Sequence, residues 1–113
     1  MNTRKYSNIQ EKQVAKALNG RKNINSGATA FIKGDVQLDN FLVECKTVVQ
    51  KKSSVSIKQE WLDKLRKEAF AMNKPYTMLA FNFEPGGKNY YVLEENLVCY
   101  LLELLNKEEL SGN

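Results

Sequence analysis

The sequence predicts an α/β domain in which helices flank a mixed β-sheet, with the element order α-β-β-α-β-β-α. Apolar residues recur at helical spacing in three segments, and four other segments are short and rich in β-branched or aromatic residues. A chain of 113 residues is just long enough to close a core around one sheet. We therefore expect one domain that spans residues 1–113.

The first element is expected to be an amphipathic helix from about residue 7 to 19. Ser7 and Gln10 have the spacing of a capping box, in which the two side chains satisfy the first free backbone N–H groups of a helix. Apolar residues follow at roughly helical spacing, and Asn19-Gly20 is typical of a helix end.

A β-hairpin is expected next. The polar stretch at residues 21–28 is interpreted as a loop, whereas residues 29–36 and 41–49 have the composition of strands. The residues at 37–40 between them resemble a turn.

The next helix is expected after a basic loop. Ser56 and Gln59 have the spacing of a second capping box, and apolar residues continue at helical spacing as far as Met72. Trp61 and Leu65 share one face of this helix, so both are expected in the core.

Two further strands, at residues 76–83 and 89–93, precede a Leu-rich helix at about residues 95–107. The helix between the strands at 41–49 and 76–83 is long enough for a crossover connection. These two strands can therefore lie parallel in a mixed sheet with helices packed on it.

Composition narrows the possible chemistry. The chain has 17 Lys and Arg residues against 13 Asp and Glu residues, and the basic residues concentrate before about residue 75, which suits a polyanionic partner such as nucleic acid. The sequence contains no His, so an imidazole base, a His-ligated zinc and a Ser–His or Cys–His couple are all excluded. Carboxylates and Lys remain as the available catalytic groups.

The sequence also suggests where the protein is located. No apolar run approaches the roughly 20 residues that span a bilayer, and the N-terminus lacks the apolar segment of a signal peptide. A cytoplasmic location is expected, without membrane association. Cys45 and Cys99 are far apart and lie within apolar patterns, so both are expected to be buried free thiols.

The strongest functional pattern lies in the second expected strand. Because side chains alternate between the faces of a strand, Glu44 and Lys46 share one face with Leu42. Two opposite charges on an otherwise apolar strand are costly unless they pair or bind a ligand. If the hairpin forms, Asp35 at the end of the first strand lies near Glu44, and two such carboxylates repel each other unless a cation lies between them.

A site with one or two carboxylates, completed by water and phosphate, is the preference of Mg²⁺, and Mn²⁺ is expected to substitute for it. Lys46 is then placed to contact the attacking water or the scissile phosphate. The alternative interpretation is a surface ion pair between Glu44 and Lys46 on an edge strand, with Asp35 as a turn residue.

Gly34-Asp35, eight further residues and then Glu44-Cys45-Lys46 resemble the motif of the PD-(D/E)xK nuclease superfamily. The closest resemblance, over about residues 7–93, is to the archaeal-type Holliday junction resolvases. It implies a restriction-endonuclease-like fold and a magnesium-dependent DNA endonuclease. Catalysis would rest on the two carboxylates and Lys46, with the backbone carbonyl of Cys45 as a further metal ligand.

Three other positions resemble that family. Glu11 stands where the family has an additional metal-site carboxylate, Ser26 belongs to a Ser-Gly segment, and Gln59 stands where related nucleases often have a polar residue beside the site. Glu11 and Gln59 also have purely local interpretations, as a helix first-turn acid and a capping residue. The full set of expected DNA contacts is Arg21, Lys22, Ser26, Lys51, Lys52 and Gln59.

Symmetric cleavage of a junction would require two sites, so the resemblance implies a homodimer that acts on branched DNA. The last helix carries candidates for the dimer contact, although it could equally cover the sheet; these candidates are Val98, Leu101, Leu102, Leu104 and Leu105. The alternatives are a flap, nicking or general DNA nuclease of the same fold, and a non-catalytic nucleic-acid-binding module.

Overall fold

A computed structural model describes residues 3–23 and 35–111 of the chain. Within these ranges the elements follow the order α-β-β-β-α-β-β-α. They are α1 (Thr3–Leu18), β1 (Arg21–Lys22), β2 (Val36–Gln37), β3 (Phe41–Lys46), α2 (Gln59–Ala71), β4 (Tyr76–Phe81), β5 (Tyr90–Leu93) and α3 (Glu95–Ser111).

The five strands form one mixed sheet in the order β1-β2-β3-β4-β5. Only β3 and β4 are parallel, and the other neighbours are antiparallel. The expected mixed α/β architecture and the parallel pair joined through α2 are therefore confirmed. The expected element order is wrong by one strand, because β1 lies where the polar loop was expected.

Strand β1 has no apolar alternation that could have revealed it. It pairs with β2 through Arg21 opposite Gln37 and Lys22 opposite Val36, so the main chain of β2 supplies its partners. The hairpin of β2 and β3 is present, with Val36 opposite Val43. Most of the strand expected at residues 29–36 lies outside the described residues.

Both faces of the sheet are covered. On one face Val14 of α1 packs with Val36, Val43 and Ala80, and on the other Leu65 and Ala69 of α2 pack with Leu42. Burying both faces of β3 explains why its sequence is apolar at nearly every position before Glu44. The sheet thus forms the middle layer between α1 and α2.

Both expected capping boxes are wrong. Helix α1 begins at Thr3, so Ser7 and Gln10 lie inside it, and helix α2 begins at Gln59 with Lys58 as an N-cap that makes no side-chain capping bond. The expected end of α1 is confirmed. Asn19 has a left-handed backbone conformation with φ of 57°, and the Gly20 N–H donates to the Ala15 carbonyl at 2.8 Å.

Helix α3 extends from the sheet with little of its surface covered. Among its described side chains only Leu97 is fully buried, and Tyr100 stacks on Tyr76 with ring centroids 5.3 Å apart. Leu102 and Leu105 are 54% and 58% exposed. The interpretation of α3 as a cover for the sheet is therefore not supported by its described part.

Three residues are less buried than expected. Cys99 is exposed on α3 instead of buried, and Cys45 is half-buried against the core cluster beneath α1. Leu65 is a core residue as expected, whereas Trp61 is only half-buried. In the described ranges, no helix combines the length and apolar character needed to cross a membrane.

Candidate metal and phosphodiester site

Glu44 and Lys46 project from the face of β3 that α2 covers. Leu42, two residues earlier on the same face, is buried against α2, and Glu44 and Lys46 continue that row beyond the core. They border a cleft of about 440 Å³ between β3 and the first turns of α2. The expected alternation along β3 is confirmed.

The hairpin brings Asp35 next to Glu44. The Asp35 N–H donates to the Val43 carbonyl at 2.9 Å, which continues the β2–β3 pairing by one residue. In return the Cys45 N–H donates to Asp35 Oδ2 at 2.8 Å, which fixes the direction of the carboxylate. The two carboxyl groups are close enough for each to affect the pKa of the other.

This proximity is electrostatically unfavourable. Burial, and then the charge of Asp35, raise the pKa of Glu44 to about 7, although Lys46 acts in the opposite direction. Burial also raises the pKa of Asp35, and the hydrogen bond from the Cys45 N–H partly offsets this effect. The fold therefore holds two carboxyl groups close together although their negative charges repel each other.

Lys46 lies between Glu44 and an aromatic ring. Its Nζ atom is 3.7 Å from Glu44 Oε2 and 4.6 Å from the ring centroid of Trp61. The Lys46 side chain is about one-third exposed, so its ammonium group remains accessible from the cleft. It can reach a ligand at the carboxylates without a change of backbone.

Glu11 on α1 is close enough to Asp35 for their charges to interact. Burial raises the pKa of Glu11, and so does the charge of Asp35, which places the two groups within electrostatic range. Glu11 is itself paired with Lys22, whose Nζ atom lies at 3.6 Å. Asp35, Glu44 and Lys46 are thus brought together, whereas Glu11 lies near Asp35 and forms an ion pair with Lys22.

The expected DNA contacts lie on several different elements, and most of them are exposed. Arg21 is exposed on β1, and Lys51 and Lys52 are exposed in the loop that follows β3. The Lys52 N–H donates to the Phe83 carbonyl at 2.8 Å, which anchors this loop to the chain after β4. Gln59 is exposed at the start of α2, where its neighbours Glu60 and Trp61 line the cleft. Ser26 lies outside the described residues.

Two buried polar side chains that position the end of β3 were missed. Gln10 is fully buried, and its Nε2 donates to the Lys46 carbonyl at 3.2 Å and to Asn89 Oδ1 at 3.1 Å. Asn82 is also fully buried, and its Oδ1 accepts from the Val48 N–H at 3.1 Å. Asn82 could have been noticed as the one amide within the apolar run at residues 76–83.

The donor set suits a hard divalent cation. Mg²⁺ needs few protein ligands, since it retains several waters, and two adjacent carboxylates whose repulsion it would relieve satisfy that need. Among the described residues, no three Asp, Glu or Cys side chains converge as a complete ligand set. The pair formed by Asp35 and Glu44 is therefore the candidate, with the Cys45 carbonyl and Glu11 remaining predictions.

Comparisons with protein-family models, with curated proteins and with solved structures found no match. The resemblance to the PD-(D/E)xK nucleases accordingly rests on the residues of the motif and on their expected arrangement.

Proposed function

We propose that this chain is a metal-dependent endonuclease that hydrolyses phosphodiester bonds in DNA. The observation that carries the proposal is the half-buried pair of carboxyl groups of Asp35 and Glu44, with the Lys46 ammonium group 3.7 Å from Glu44. A protein that only bound DNA would gain nothing from two carboxylates next to phosphates, because they repel the ligand unless a cation is bound.

Each residue has a role that its contacts support. Asp35 and Glu44 are the proposed ligands of Mg²⁺, and the Cys45 N–H keeps Asp35 turned toward Glu44. The chemistry that Mg²⁺ supplies when bound is charge neutralisation at the phosphodiester and activation of water as a nucleophile. Lys46 orients the attacking water or stabilises the developing negative charge, for which its accessible ammonium group is suited.

The preferred substrate is branched DNA, as in Holliday junction resolvases. Arg21, Lys51 and Lys52 are exposed and offer charge for phosphate contacts, and Lys22 is a further proposed contact although its charge is paired with Glu11. Phosphate contacts recognise the path of the backbone and carry no base sequence, which favours recognition of DNA shape. Flap, nicking or general nuclease activity is the alternative on the same site, because a fold does not determine the substrate shape.

A homodimer would supply two such sites. Helix α3 presents exposed apolar side chains along much of its length, and a second copy of the same helix would cover them; they are Val98, Tyr100, Leu101, Leu102, Leu104 and Leu105. An isologous contact relates the two copies by a twofold axis and would direct the two sites at opposite strands.

One cleavage assay tests the proposal. End-labelled four-way junction, flap and linear duplex are incubated with the protein in Mg²⁺, in Mn²⁺ and in EDTA. We expect metal-dependent cleavage, fastest on the junction, with paired nicks symmetric about the branch point. If the protein is a monomer at micromolar concentration and cleaves junction and duplex equally, the resolvase function is contradicted and only a general nuclease function is supported.

The site assignment is tested with matched variants. Asp35→Asn and Glu44→Gln are expected to abolish cleavage while DNA binding stays intact or becomes tighter, because a metal ligand and a source of phosphate repulsion disappear together. Glu84→Gln, in an exposed turn, is the control and should cleave like the wild type. Near wild-type rates in either site variant would disprove the assignment.

A further inference from the structure

The indole ring of Trp61 lies against the ammonium group of Lys46. Trp61 lies in the first turn of α2, where its backbone N–H donates to the Lys58 carbonyl at 3.1 Å. Its ring borders the same cleft as Glu44 and Lys46 and is only half-buried. The ring therefore faces the site, although its helical spacing with Leu65 predicts a place in the core.

Lys46 has two partners that differ in kind. The carboxylate of Glu44 attracts the ammonium group as an opposite charge at 3.7 Å, and the Trp61 ring attracts it through its π-face at 4.6 Å. Lys58 also lies over the ring, at 5.7 Å from the centroid, so Lys46 is the nearer cation.

A divalent cation at Asp35 and Glu44 would change this balance. It would engage the carboxylate that pairs with Lys46 and would repel the ammonium group directly. A Lys side chain that loses its partner gains rotamer freedom and moves into solvent. The divalent cation does not remove an aromatic ring as a partner of Lys46, because the ring attracts an ammonium group without being a metal ligand.

We propose that Trp61 is a positioning residue for Lys46, holding the ammonium group beside the carboxylates when a divalent cation engages Glu44. This inference rests on the proposed function, since it assigns Trp61 a part in the same site. Trp61 acts through Lys46 and does not itself contact the reacting atoms. The π-face keeps Lys46 close to the phosphodiester without competing for the metal.

The kinetic test compares two substitutions of the ring with a matched control. Trp61→Leu should lower kcat on the preferred DNA by about 10-fold with little change in KM, on the scale of a cation–π contact in a partly desolvated site. Trp61→Phe, which keeps an aromatic face, should recover most of this loss. Phe70→Leu removes an aromatic ring from the far end of α2, where Phe70 is 84% exposed, and should leave kcat unchanged.

These variants distinguish the positioning of Lys46 by Trp61 from two other roles of the ring, base stacking and packing. If Trp61 served only as a stacking surface for a DNA base, its loss would raise KM. If it served only as packing, Trp61→Phe and Trp61→Leu would lose thermal stability without a selective loss of kcat. Wild-type kcat in Trp61→Leu, or a loss confined to KM, would overturn the inference.

A second measurement does not depend on cleavage. Trp61 is the only tryptophan of the chain, so tryptophan emission reports on this ring alone. Titration with MgCl₂ should change the emission of the wild type, because Lys46 loses Glu44 as a partner and is then held by the ring alone. The change should disappear in Lys46→Met, and no response in the wild type or the same response in Lys46→Met would overturn the inference.

The two measurements distinguish the two claims. Absence of cleavage by the wild type on every DNA substrate would refute the proposed function, and the emission titration would still decide whether the Trp61 ring holds Lys46 when Mg²⁺ engages Glu44. Cleavage by the wild type that Trp61→Leu fully retains would preserve the nuclease and refute the positioning role.

Discussion

Neutralising Glu44 should stabilise the metal-free protein at pH 8, although it removes a proposed metal ligand. Burial and the nearby charge of Asp35 raise the pKa of Glu44 from its ordinary 4.5 to about 7 in the folded protein. The unfolded chain returns the group to its ordinary pKa. Ionised Glu44 therefore lowers the free energy of unfolding.

The sign and the size of the effect follow from these two pKa values. Below pH 4.5 Glu44 is mostly protonated in both the folded and the unfolded protein, so its effect on the free energy of unfolding is small. This destabilisation grows as the pH rises and is complete above about pH 7. A difference of about 2.5 between the pKa values, at about 1.4 kcal/mol per pH unit, corresponds to about 3 kcal/mol. The charges that set this difference besides Asp35 are Lys46, Lys64 and Glu68.

The measurement is urea unfolding in EDTA, followed by the emission of Trp61, at pH 4.5 and pH 8. The free energy of unfolding of Glu44→Gln should exceed that of the wild type by up to about 3 kcal/mol at pH 8 and by less than about 1 kcal/mol at pH 4.5. The exposed control Glu84→Gln should match the wild type at both values. Equal stability of Glu44→Gln and the wild type at pH 8 would refute the reasoning.

Four other outcomes are expected. Lys46→Ala should reduce cleavage by about 100-fold or more, the scale of a positioned catalytic group, and a loss confined to DNA affinity would make it a phosphate contact instead. DNA affinity should fall steeply between 50 and 200 mM salt, by about 10-fold or more, and a flat salt dependence would contradict binding through phosphates. Leu101→Glu with Leu105→Glu should give a monomer by sedimentation, and an unchanged dimer would place the contact elsewhere. Mg²⁺ should raise the thermal midpoint of the wild type but not of Asp35→Asn, since only a site that binds the ion is stabilised by it.

The arrangement along β3 was predictable because it depends on a local rule. Side chains alternate along any strand, so Leu42, Glu44 and Lys46 had to share a face once the segment was assigned as a strand. The parallel pairing of β3 with β4 was accessible for a similar reason, since the segment between them is long enough for a crossover helix. These two features account for most of what positions Glu44.

The capping boxes failed because a local signal was overruled by distant contacts. Gln10 has the spacing of a capping residue, yet its side chain is buried against carbonyl groups of β3 and β4. A three-residue spacing of Ser and Gln is common, and it cannot show that a partner 36 or 70 residues away competes for the same amide.

The contacts that refine the site were inaccessible for the same reason. Asn82 holds the turn after β3 through Thr47 and Val48, which lie 34 to 35 residues earlier in the chain. Trp61 faces Lys46 because it continues the row of Leu65 one turn beyond the core, as Lys46 continues the row of Leu42 on β3. Trp61 and Lys46 lie on different elements, so no local pattern in the sequence predicts their contact.

The contacts of α1 set a limit on how far the chain can be shortened from its N-terminus. Gln10 ties the carbonyl of Lys46 to Asn89, and Gln13 Nε2 donates to the Gly86 carbonyl at 3.0 Å, so this helix closes the sheet at the end that carries the site. A shortened protein that starts beyond Val14 would expose Val43 and Ala80 to solvent and would have an aggregation-prone apolar surface. A fusion partner is better attached near the exposed Arg4 and Lys5, at the start of the helix, than substituted for it.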